Sequence, residues 1–185
     1  MLEEVYSDAR ERMTKSLEAL KTETSRVRTG RATPQLLDGV RVDAYGSSVP
    51  LNQVATISVP EARLIVLNVW DKSLVGEVEK AILRSGLGFN PQVQGNTLRI
   101  PVPALSEERR AEMVKLIRKM AEEARVAVRN IRRDAVEMVR SLEKDKEISE
   151  DERHEAETRV QKITDEFTEK IDALLATKEK ELTEF

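Results

Sequence analysis

Apolar positions in this 185-residue chain fall into three long stripes of helical period, with a differently textured segment between the first and the second. Leu2, Val5, Ala9, Met13, Leu17, Leu20 and Val27 predict a helix from about Leu2 to Thr29, with Gly30 as its C-terminal cap. Val114, Ile117, Ala121, Ala124, Val128, Ile131, Ala135, Met138 and Leu142 alternate steps of three and four without a break. They predict a second helix that starts at Ser106, a good N-cap, and ends near Asp145. The heptad rhythm implies close packing with a slight left-handed supercoil. Ser149 and Glu152 have capping-box spacing and open a third helix, whose stripe is Ala156, Val160, Ile163, Phe167, Ile171, Leu174 and Leu182. The short Asp145–Ile148 connection makes the second and third helices antiparallel neighbours. Three long amphipathic helices with one stripe each make a three-helix bundle.

Residues 31–104 read otherwise. All six prolines lie here, and six of the seven glycines. Val40–Tyr45, Val54–Val59, Leu64–Val69 and Leu98–Val102 predict strands, with turn signals at Gly46-Ser47 and Gly95-Asn96. Asp71 can cap a short helix over about Ser73–Arg84, ended by Gly86. Trp70 and Phe89 are expected in the core of this module, with an exposed contact as the alternative for one of them. The fold class is therefore α+β. A discontinuous bundle (1–30 and 105–185) carries a small α/β domain of β/α/β type (31–104), inserted between helices one and two. The chain crosses between the parts at Gly30-Arg31 and at Pro103-Ala104-Leu105, a paired connection that allows a hinge.

Charge changes this picture in one place. The net charge is −3, but residues 105–142 carry +3 and residues 143–185 carry −7. Between residues 124 and 133 stand Arg125, Arg129, Arg132 and Arg133, with no acid among them. Arg118, Arg125 and Arg132 share one repeat position beside the apolar seam, and none of Arg125, Arg129 and Arg132 has an acid three or four residues ahead. The bland reading is a solvated helix face. The sharper one is a polyanion site, because the guanidinium fork matches phosphate oxygens and lysine would serve mere solubility equally well. The absence of aromatics on this helix argues against stacking on unpaired bases and for the backbone of a folded RNA or duplex, read by shape.

Other chemistry is thinly supported. The chain has no cysteine, and its single histidine, His154, lies in a charged run where a solvated role outweighs a catalytic one. Gly86-Leu87-Gly88 is no phosphate cradle, and no catalytic constellation is visible. The reading is a non-enzyme without cofactor or metal, cytoplasmic, and free of membrane segments. An alternative is a helical scaffold or chaperone-like protein that binds client helices along its seams; a hydrolase using acidic residues is a more distant one.

Arg28-Thr29-Gly30-Arg31-Ala32, Glu108-Arg109-Arg110, the run Ala124–Ala135 and the run Asp145–Asp151 together resemble the ribosome recycling factor signature, across the whole chain. Phe89 stands where that family commonly has leucine, and Ser106 where threonine is common. The resemblance implies an L-shaped, monomeric protein of transfer-RNA proportions. It implies binding to the post-termination ribosome on large-subunit ribosomal RNA, followed by subunit separation driven by elongation factor G with GTP. On that reading Arg110, Arg129 and Arg132 contact RNA, flanked by Arg125 and Arg133, with Arg28 and Arg31 near the hinge.

Overall fold

The computed structural model describes residues 1–184. They form two compact units, Gly30–Ser106 and the remainder, each with its own apolar core.

The first unit consists of α1 (Leu2–Ser25), α3 (Glu107–Lys144) and α4 (Glu150–Thr183). Each buries one stripe: Val5, Ala9, Met13, Leu17 and Leu20 from α1, Ala121 to Val139 from α3, and Ala156 to Ile171 from α4. The first helix ends four residues earlier than its stripe predicts, at Ser25. Thr22, Thr24 and Ser25 all turn their hydroxyls onto carbonyls three or four residues back, and such hydroxyls compete with helix propagation. The C-cap is therefore Arg26 and not Gly30. Gly30 has another role: its φ is +80°, and a Cβ built there would lie 3.5 Å from the Leu105 side chain. The two chain crossings thus approach each other inside the second unit.

The seam of α3 departs from the predicted heptad at its end. Met138 is exposed, and Val139 is fully buried in its place. Ile131, Ala135 and Val139 follow one another at two consecutive steps of four. A strict 3.5-residue repeat drifts about 20° per heptad against a straight α-helix. After several turns, position 139 rather than 138 faces the core. The helix then stops in a Schellman arrangement. Glu147 N donates to Leu142 O at 2.9 Å and Lys146 N donates to Glu143 O at 2.9 Å, with Lys146 at φ +60°. The capping box follows as expected. Ser149 Oγ accepts from Glu152 N at 3.2 Å, and Ser149 N donates to Glu152 Oε2 at 2.7 Å.

In the second unit, β1 (Arg41–Ala44) and β2 (Ser47–Pro50) form a hairpin. β3 (Ala55–Glu61), β4 (Leu64–Val69), β5 (Gln92–Gln94) and β6 (Thr97–Pro101) form an antiparallel sheet in the order β3-β4-β6-β5. The helix α2 (Val75–Arg84) touches both β1 and β6, so hairpin, helix and sheet stack as β/α/β. Asp71 Oδ1 accepts from Ser73 N at 2.9 Å, where the short-helix cap was expected. The strands absent from the sequence reading, β2 and β5, are those with no fully buried residue, hence no apolar alternation to read. Phe89 is in the core as expected, whereas Trp70 is not: 62% of its surface is exposed.

Candidate nucleic-acid interface

Helical geometry sorts the predicted arginines into two columns on α3. Residues seven apart lie nearly in line, so Arg118, Arg125 and Arg132 form one column, which runs along the groove between α3 and α4. Arg118 Nε donates to Glu179, Arg125 to Asp172 at 2.6 and 3.0 Å, and Arg132 Nη1 to Gln161 Oε1 at 3.1 Å. Glu122, Val126, Arg129 and Arg133, at steps of four, three and four, make the second column, which faces outward.

The stripe is not free of acid. Glu122 accepts from Arg125 Nη1 at 3.2 Å and from Arg129 Nη2 at 2.6 Å, and it lies upstream of both, three and seven residues back. Asp172 reaches Arg125 from another helix, a contact no local spacing could reveal. The arginine hydrogen bonds, Arg129's above all, hold the Glu122 carboxyl below its ordinary pKa. Conversely, the hydrogen bond that Arg125 donates to Asp172 leads the effects that raise the pKa of Arg125. Arg125 keeps 25% of its side-chain surface exposed, Arg129 54%.

The candidates therefore differ in availability. Arg133 is exposed and makes no hydrogen bond or ion pair among the described residues. Arg129 is exposed and, among the described residues, tethered only by Glu122. Exposed pairs of this kind are weak and screened by salt, so a phosphate can replace the carboxylate. Arg132 is half-buried, held by Gln161, and its Nε is buried without a hydrogen-bond partner. Arg125 is the one most committed to holding α3 against α4.

These four lie within about three turns of one helix. Arg110 sits nineteen residues before Arg129 on the same helix, roughly 28 Å away by helix rise, and is half-buried. Arg28 follows the end of α1 and is exposed without a partner among the described residues. Arg31 belongs to the other unit. Neither Arg110 nor Arg31 is free of partners. Val126 was missed: 43% exposed, it is an apolar spot in the arginine column, visible beforehand as a valine outside the seam.

A compact guanidinium cluster on a rigid helix, without aromatics beside it, suits a phosphate backbone. Residues 20–183 match the family model described as ribosome recycling factor. The chain belongs to the ribosome recycling factor family. The ribosome-recycling factor of Syntrophobacter fumaroxidans is 52% identical over 184 residues, covering 100% of both chains. That of Desulfatibacillum aliphaticivorans is 52% identical over 185 residues, again covering both completely. A solution structure of a ribosome recycling factor matches with a TM-score of 0.74 at 47% identity, covering 100% of this chain and 98% of that one. A second family structure is the Thermus thermophilus (T. thermophilus) factor with Escherichia coli (E. coli) elongation factor G on the E. coli post-termination complex. It matches with a TM-score of 0.65 at 47% identity and covers 98% of each chain. As a member of the ribosome recycling factor family, the chain carries its arginine columns on a helix that lies wholly inside the matched region. No helix among the described residues is long and apolar enough to cross a membrane.

Proposed function

We propose that this chain recycles ribosomes after termination. Its bundle binds large-subunit ribosomal RNA through Arg129, Arg132 and Arg133, with Arg125, Arg110 and Arg28 contributing around them, and Arg31 adds a contact from the second unit. Elongation factor G, spending GTP, then acts on the bound protein and separates the subunits. The chain is a mechanical adaptor, not an enzyme, and works in the cytoplasm as a monomer. The paired crossings at Gly30-Arg31 and Pro103-Ala104-Leu105 serve as its hinge. The close approach of Gly30 and Leu105 supports this, because it makes the two crossings a single pivot.

The observation that carries the reading is the outward column of Arg129 and Arg133, cations that the protein does not use to hold itself together. The scaffold alternative lacks comparable support. The apolar stripes of α1, α3 and α4 are buried against one another, so these stripes are not offered to a client helix.

The test is co-sedimentation with purified large subunits across a salt series. Each phosphate neutralised on a duplex contributes a slope of roughly −0.9 in log affinity against log salt. A cluster of three or four arginines predicts a slope near −3. Affinity that holds or rises with salt would point to apolar binding and remove the RNA reading.

A further inference from the structure

The arginine columns leave the second unit without an assigned surface. Of the described aromatic side chains, Tyr6, Phe89 and Phe167 are buried, and the other two, Tyr45 and Trp70, are 80% and 62% exposed. Both lie at one corner of the unit. Tyr45 is in the turn between β1 and β2, Trp70 directly follows β4, and Asp71 joins them because the Tyr45 hydroxyl donates to Asp71 Oδ2.

Three features set this corner apart from ordinary surface. First, Tyr45 has φ +50° and precedes Gly46 at φ +82°, a turn in which the first position favours Asn or Gly. A bulky residue in the left-handed region is strained, and such strain clusters at working surfaces. Second, both rings are held in place. Tyr45 is pinned by Asp71; Trp70 Nε1 donates to Thr56 Oγ1 at 3.0 Å, and its backbone N–H to Val54 O at 3.1 Å. Pre-ordered aromatic side chains lose little entropy on binding, and Trp and Tyr dominate binding hot spots. Third, among the described residues Asp71 receives hydrogen bonds only from neutral donors, the Tyr45 hydroxyl and Ser73 N and Oγ. Neighbouring Lys72 makes no ion pair with it among the described residues. A carboxylate with its charge uncompensated, bonded to one exposed ring and next in sequence to the other, repels phosphate and attracts a guanidinium or ammonium group.

We infer that Tyr45, Trp70 and Asp71 form the docking site for a protein partner, receiving an arginine or lysine side chain between the rings and the carboxylate. This assignment rests on the functional reading above, where the partner of that chemistry is elongation factor G. The corner works separately from the arginine columns: RNA holds the bundle, while the motor grips the inserted unit.

The test uses the full-length protein with Tyr45→Asn, Trp70→Thr and the two combined. Asparagine tolerates the left-handed turn, so Tyr45→Asn keeps the hairpin while removing the ring. A fourth variant, Asp71→Asn, keeps an acceptor for Ser73 but removes the charge. Each is measured for large-subunit affinity and for the concentration of elongation factor G that gives half-maximal subunit splitting with GTP. The expected result is an affinity within twofold of the parent and a half-maximal concentration raised at least tenfold in the double variant. Asp71→Asn should raise it as well. An unchanged half-maximal concentration in the double variant would overturn the docking site. Lost subunit affinity with unchanged motor dependence would also overturn it, by making the corner an RNA contact. If the unsubstituted protein fails to split ribosomes, the functional reading itself falls, and the assignment with it.

Discussion

Glu122 is the residue on which the arginine face turns. It occupies Arg125 and Arg129 at once; the pair with Arg129 lies in solvent, whereas Arg125 is partly covered. A polyanion that binds here must displace it, so Glu122 competes with phosphate for the same guanidinium groups. Glu122→Gln should therefore tighten binding to large subunits roughly two- to fivefold at low salt, the scale of an exposed ion pair. A weaker complex would show that Glu122 positions the arginines instead. The pH behaviour has a definite sign. Because the arginines lower its folded pKa, the stability from Glu122 is complete above the ordinary glutamate range and lost only as pH falls through that lowered value. Its contribution is thus constant near neutrality. The arginines themselves were legible in the sequence because they are local to one helix. Their partners were not, since Asp172 and Gln161 depend on the register of α4 against α3. Trp70, and not Phe89, takes the exposed alternative, and sequence alone does not decide between them: nothing in its neighbours tells that the chain turns out of the sheet just there.

At the scale of elements, the ends of helices carry the information that stripes lack. The capping box at Ser149 was readable because it is a four-residue pattern. The end of α1 was not, because its apolar stripe outlasts its helix and the hydroxyls of Thr22, Thr24 and Ser25 decide the matter. The strands β2 and β5 lack the alternation that betrays a strand, although the turns that join them to β1 and β6 were evident. One element end offers a direct test. Lys146 adopts φ +60° at the Schellman position after α3, where glycine is the usual occupant. Relief of left-handed strain outweighs the extra unfolded-state freedom of glycine and the loss of a cation near a helix C-terminus. Lys146→Gly should stabilise the protein by about 0.5 kcal/mol, raising Tm by roughly 1–2 °C. A lower Tm in a thermal melt would show that the lysine side chain holds the turn by contacts of its own.

At the scale of the molecule, a chain of net charge −3 carries a cationic face on one helix, and the proposed RNA binding rests on that segregation more than on any total. The two cores let the units divide the work. In the proposal, one unit binds RNA and the other meets the motor, with a pivot between them. The central claim is that the outward arginines hold the large subunit. Its most direct test is the large-subunit affinity of Arg129→Glu combined with Arg133→Glu, measured beside the circular dichroism of the free protein. Neither side chain is in the core or in a helix cap, so the helical signal should be preserved. The account predicts that the double variant loses at least 100-fold in affinity at low salt and no longer splits ribosomes with elongation factor G and GTP. A folded double variant that binds large subunits as tightly as its parent would contradict it.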